Sequence, residues 1–121
     1  MEKTKTFKEL IVWQKAHQLT LNVYEATKIF PKEEIYGLTS QIRRASVSIS
    51  ANIAESYKKG TIPGKINFLN ISESSLEEVK YYLILSRDLG YISGDLFNQL
   101  ESLSEEIGKI MNGYISAIKN K

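Results

Sequence analysis

The chain has 121 residues, enough for one domain with a real core, and 42% of them are hydrophobic. It contains no cysteine, which excludes disulfides, thiolate metal sites and cysteine nucleophiles and agrees with a reducing cytoplasm. The net charge of +2 is too small to mark a dedicated nucleic-acid binder. Residues 1–60 hold ten Lys or Arg against six Asp or Glu, and residues 61–121 hold six against eight. The mildly basic and mildly acidic halves favour polar self-association or weak anion binding. The opening residues do not have the pattern of a signal peptide, and no apolar run approaches the ~18 residues that span a bilayer.

Residues 1–6 are expected to form a flexible tail. The first helix is predicted from about Phe7 to Ile29, with an apolar stripe at Val12, Ala16, Leu19, Val23 and Ala26. Phe30-Pro31 ends it, because the residue before a proline is pushed out of the helical region.

The second is predicted from about Lys32 to Lys59. Glu33 and Glu34 would lie in its first turn and Lys58 and Lys59 in its last, the order that complements a helix dipole. Leu38, Ile42, Ala45, Ile49 and Ile53 form its stripe. Much of the remaining surface is Ser or Ala, which lets neighbouring helices approach closely on more than one side. Gly60 is placed to cap its C-terminus.

The third is predicted from about Pro63, a residue suited to a first helical position, to Leu89. It carries two adjoining seams. One is Leu69, Ser72, Leu76, Val79 and Leu83, and the other is Phe68, Ile71, Ser75, Tyr82, Leu85 and Leu89. Gly90 is its expected terminator.

The fourth begins after Ser93, a good N-cap, and its expected stripe is Leu96, Leu100, Leu103, Ile107, Ile110, Tyr114 and Ala117. With short connections throughout, the four helices pack antiparallel in an all-α, up-down-up-down four-helix bundle. At 1.5 Å per residue they would be roughly 30–40 Å long.

Catalytic and metal chemistry find little support. Di-iron bundles need two Glu-x-x-His motifs, but the single histidine, His17, has Gln14 three residues before it. No strand or Gly-Lys-Ser/Thr ending accompanies Gly60-Thr61-Ile62-Pro63-Gly64-Lys65, which is an interhelical turn rather than a phosphate loop. The serines of the second helix lack a neighbouring base and are packing residues. Asn52, beside the second stripe, is either a register-fixing polar residue or a hydrated boundary residue. No catalytic residue, metal or cofactor is expected.

Two binding surfaces stand out. Arg44 and Glu55 lie three turns apart on one helix face, about 16 Å along the axis, with the small residues Ser48 and Ala51 between them. These four residues are the expected subunit interface. Arg43, Lys58, Lys59 and Lys65 form the candidate phosphate-binding set.

Four stretches carry a family resemblance: Phe7-Lys-Glu-Leu-Ile-Val-Trp-Gln-Lys-Ala16, residues Phe30 to Ala45, Ser50-Ala-Asn-Ile-Ala-Glu55 and Leu89-Gly-Tyr-Ile92. In order and spacing the chain resembles the 23S rRNA-intervening-sequence protein family. Ser56 and Ser74 stand where that family usually or often has glycine. The resemblance implies a compact bundle assembled into a homopentamer. It also implies kinship with the accessory protein of diversity-generating retroelements, which binds reverse transcriptase and nucleic acid. It supplies no catalytic residues. The expected role is therefore a self-assembling adaptor for RNA or for a nucleic-acid enzyme such as a reverse transcriptase. The alternative is a purely structural oligomer without nucleic-acid binding.

Overall fold

The computed structural model describes residues 4–120. They form α1 (Ile11–Thr27), α2 (Leu38–Lys58), α3 (Ile62–Asp88) and α4 (Gly94–Lys119), with short 3-10 turns at Phe7–Glu9 and Lys32–Glu34. Interhelical bonds fix the antiparallel order. Arg43 near the start of α2 reaches Thr27 at the end of α1, and Lys80 of α3 meets Glu105 of α4. Lys15 near the start of α1 meets Glu106 at the middle of α4. The bundle is therefore up-down-up-down, as the periodicity predicts.

Both ends of α3 and the start of α4 have local causes. The Thr61 hydroxyl accepts from Gly64 N at 3.1 Å, and the Ser93 hydroxyl accepts from Leu96 N at 3.1 Å. At the end of α3, Gly90 N donates to Arg87 O and Tyr91 N to Ser86 O, each at 2.9 Å. This double closure needs a left-handed residue, and Gly90 supplies it at φ 79°.

Two expected boundaries shift inward. Leu10 and the Phe7–Glu9 turn precede α1 rather than belonging to it. Glu33 and Glu34 lie in a 3-10 turn, and α2 starts only at Leu38. Glu34 explains the second shift. Its carboxylate folds forward to accept from Leu38 N at 3.1 Å, capping α2 from outside. Gly37 permits this, since a Cβ there would come within 2.6 Å of Glu34 Oε1.

The core takes up the expected stripes of α1 (except Ala26) and α2 and the first seam of α3. Of the second seam of α3 only Ser75 is buried; Phe68, Tyr82 and Leu85 are half-covered, and Ile71 and Leu89 are exposed. Thr27 is buried at the end of α1, where Ala26 is only partly covered. In α4 the buried line is Phe97, Leu100, Ser104, Ile107, Met111, Ile115 and Ile118. Leu96, Leu103, Ile110 and Tyr114 flank it at half burial, and Ala117 faces solvent. The predicted stripe therefore marks one margin of a wider buried arc.

Serines let α2 approach its neighbours. Ser72 of α3 donates to Ile49 O of α2 at 2.8 Å, and Ser75 donates to Ser48 Oγ at 2.8 Å. On the other side, Thr20 of α1 donates to Ser46 O at 3.0 Å. A small side chain at each crossing brings hydroxyl and backbone carbonyl within hydrogen-bond reach, which a larger residue would prevent. The small residues of α2 thus serve two packing faces, as the sequence implies.

Candidate nucleic-acid interface and assembly surfaces

The antiparallel topology places the N-terminal segment, the α2–α3 turn and the end of α4 at the same end of the bundle. That end carries Lys5, Lys8, Lys58, Lys59, Lys65 and Lys119, with Glu9 and Glu55 as the nearby acids. The segment before α1 is tied there by Tyr57, whose hydroxyl donates to Thr4 O at 2.7 Å. Lys5 and Lys58 then line one shallow groove with Phe7, Ala54 and Tyr57. Residues 1–3 of the expected tail lie outside the described residues; Thr4 is held by Tyr57, and Thr6 caps the turn that follows.

The lysines differ in their engagements. Lys58 is exposed. Lys59 Nζ stands 4.9 Å from the Phe68 ring centroid, a cation–π arrangement that leaves much of the ammonium facing water. Lys65 turns inward, donating to Ser56 O at 3.3 Å and Tyr57 O at 2.9 Å. It thereby neutralises carbonyls at the negative end of α2.

Arg43 is not brought together with these lysines. Fifteen residues before Lys58, it sits about 22 Å along α2. Its Nε donates to Thr27 Oγ1 at 2.7 Å and its guanidinium lies 4.7 Å from the Tyr24 ring centroid. Local sequence pattern does not single out Lys5, Lys8 or Lys119. Their signal is topological: once four antiparallel helices are accepted, both chain termini share an end with the second turn.

The expected subunit-interface residues divide among three grooves. Arg44 and Ser48 line a polar groove with Gln41, Ser75 and Glu78 between α2 and α3. Asn52 donates to Ser48 O at 2.8 Å and to Ser48 Oγ at 3.0 Å, so its bonds stay within α2. Ala51 faces the other way, into an apolar groove of about 360 Å³ with Phe7, Trp13, Val47 and Ala54. Glu55 lies in the Lys5–Lys58 groove. Neither Arg44 nor Glu55 forms an ion pair among the described residues.

His17 stacks on Trp13 at the margin of the apolar groove, with ring centroids 4.9 Å apart and 9° between planes. A polar cleft between α3 and α4 holds Lys80, whose Nζ meets both Glu77 and Glu105 at 3.2 Å. Burial pulls the Lys80 ammonium down, but the two carboxylates outweigh it and leave its pKa raised. The ammonium is thus held in structural ion pairs. No helix among the described residues is long and apolar enough to cross a membrane.

A family model described as 23S rRNA-intervening sequence protein matches residues 8–113. The chain belongs to this family. Among solved structures, a protein of unknown function from the S23 ribosomal protein family of Bacteroides thetaiotaomicron VPI-5482 is 26% identical. The match covers 87% of this chain and 98% of that one, with a TM-score of 0.80. No curated protein matches the sequence. Membership of the 23S rRNA-intervening sequence protein family extends over α1, α2, α3 and most of α4, and so over the polar α2–α3 groove and the α2–α3 turn.

Proposed function

We propose that this protein is a non-catalytic, self-assembling helical bundle of the cytoplasm that acts as an adaptor for RNA or a nucleic-acid enzyme, with its lysine-rich end toward RNA phosphates. The convergence of Lys5, Lys8, Lys58, Lys59 and Lys119 on one end carries this reading. The modest net charge is then less important than its placement, because local clustering sets the field a phosphate backbone meets. Phe68 beneath Lys59 and Tyr57 beside Lys58 add stacking faces of the kind single-stranded segments use.

Self-assembly rests on apolar surface left over by the bundle. Trp13, Val47, Ala51 and Ala54 line the α1–α2 groove, and Ile71, Tyr81 and Ile84 remain exposed on α3. A homopentamer, the assembly the family resemblance implies, would repeat each lysine cluster five times and raise avidity without further chemistry.

Filter binding of a structured RNA at about 50 and 200 mM salt tests the reading, since binding to phosphates weakens steeply with salt. The double variant Lys58→Glu, Lys59→Glu should bind more weakly. Its salt slope should be shallower by about one unit for each phosphate no longer neutralised. Its oligomeric mass should not change. No binding at low salt would leave the alternative, an assembly protein that does not touch RNA. One observation favours that alternative: Lys65 is already engaged by the carbonyls of α2.

A further inference from the structure

The groove at the lysine-rich end lies between the segment before α1 and the last turns of α2. Lys5, Phe7, Ala54, Glu55, Tyr57 and Lys58 line it, and it holds about 390 Å³, in the range of small-molecule sites. Its two aromatic walls are fixed before any ligand arrives. The Tyr57 hydroxyl bonds Thr4 O at 2.7 Å and Thr4 Oγ1 at 3.0 Å. Phe7 packs edge-on against Trp13, with ring centroids 5.1 Å apart. The charges of the groove are uncommitted: no ion pair among the described residues engages Lys5, Lys58 or Glu55. Glu9, the nearby acid of the N-terminal segment, is turned onto the Lys5 amide at 3.3 Å. Two rings, two ammonium groups and one carboxylate therefore face a single ligand-sized space.

We propose that this groove takes an unpaired guanine of RNA, with the base against Phe7 and Tyr57, its Watson–Crick edge on the Glu55 carboxylate and its flanking phosphates on Lys5 and Lys58. Aromatic rings hold bases by stacking, and lysines hold phosphates by charge. The carboxylate decides which base. Guanine alone presents two N–H donors side by side, N1–H and N2–H, which a carboxylate accepts in parallel. Adenine and cytosine set an acceptor nitrogen beside the amino group, and uracil flanks its one N–H with carbonyls. Each of these turns a lone pair toward one carboxylate oxygen. Base pairing would hide the edge, so the guanine must be unpaired. The inference rests on the RNA reading above and names the part of an RNA that the lysine-rich end grips.

The probes are a fluorescein-labelled oligouridylate of about six nucleotides and the same oligomer with one central guanine or inosine. Each is titrated into the full chain by anisotropy at about 50 mM salt. The guanine oligomer should bind about tenfold tighter than oligouridylate. The inosine oligomer, which lacks the N2 donor, should fall between. Glu55→Gln should erase the guanine preference while oligouridylate binding stays or tightens, because a negative charge leaves the groove. Its thermal melt should not change, since Glu55 is exposed. Lys58→Glu, Lys59→Glu should weaken all three oligomers together. Equal affinities for the oligomers, or a guanine preference that survives Glu55→Gln, would overturn the proposal. Either result would leave salt-dependent binding of structured RNA standing, so the two readings fail separately. A Glu55→Gln variant of lower oligomeric mass would also overturn it, by giving Glu55 to a second copy of the chain.

Discussion

Tyr91 and Glu34 lie 57 positions apart, yet the tyrosine hydroxyl donates to the carboxylate at 2.9 Å. The other oxygen of that carboxylate accepts from Leu38 N. One side chain therefore caps α2 and ties the α1–α2 connection to the α3–α4 turn. The hydrogen bond to Glu34 is the main reason the Tyr91 phenol is pushed above its ordinary value of 10.0, with burial and the charges of Glu34 and Glu33 adding to it.

This gives a pH dependence of definite sign. The fold favours the neutral phenol, so the contribution is complete below the ordinary tyrosine range and is lost as pH climbs through the raised value. Urea midpoints should hold up to about pH 9 and fall above about 10. Tyr82 and Tyr114 are raised as well, both chiefly by burial, and add to the fall. In Tyr91→Phe the alkaline fall should be shallower. An unchanged slope would mean the Tyr91–Glu34 bond is not linked to stability.

Ser56 and Ser72 should respond oppositely to the same change. Both are fully buried. Ser72 donates to Ile49 O, whereas the Ser56 hydroxyl finds no hydrogen-bond partner among the described residues. Ser72→Ala should cost about 1 kcal/mol in urea unfolding, and Ser56→Ala should be neutral or stabilising by about 1 kcal/mol. A Ser72→Leu variant should lose more, about 1–3 kcal/mol or beyond, because it forces α2 and α3 apart. Equal responses of Ser56 and Ser72 to alanine would refute the distinction.

The arc of α4 yields a contrast that periodicity alone does not. Ile107 is fully buried and Ile107→Ala should cost roughly 2–5 kcal/mol. Leu103, at the margin of the arc, should lose clearly less on truncation to alanine. Chemical denaturation of the two variants side by side measures this. Equal losses would mean that Leu103 is covered in the assembled protein.

The α1–α2 groove carries the assembly prediction. Val47→Glu should lower the oligomeric mass in light scattering, since Val47 is 43% exposed and lines an apolar groove. A monomer of 13.8 kDa before mutation would remove the premise. Arg44→Glu should also weaken assembly, and adding Glu55→Arg should restore part of the loss if the two residues pair across subunits. Additive losses would refute that pairing.

The sequence made the architecture legible because each stripe repeats at helical spacing over several turns, and two prolines and a glycine mark the breaks. The stripes of α2 and the first seam of α3 are buried throughout. It misplaced the start of α2 because Glu33 and Glu34 fit a helix's first turn by charge, while the tertiary bond from Glu34 to Tyr91 is not a local signal. It missed Phe97, Ser104 and Met111 because the cleaner heptad-like line beside them marks only one edge of the arc. The candidate site was half legible. Lys58, Lys59 and Lys65 are neighbours in sequence, but Lys65 turns back onto α2 and Arg43 onto α1. Lys5 and Lys119 join the cluster only through chain topology.

The serine-lined packing between α2 and α3 also bears on the order in which the chain folds. These helices are consecutive, joined by a short turn, and locked together at Ser72–Ile49 and Ser75–Ser48. Closing that hairpin loses little chain entropy, whereas bringing α1 to α4 must close a loop of nearly the whole protein. The α2–α3 hairpin is therefore the expected nucleus, with α1 and α4 added to its two sides. Truncations in the hairpin should slow folding, and truncations between α1 and α4 should mainly speed unfolding.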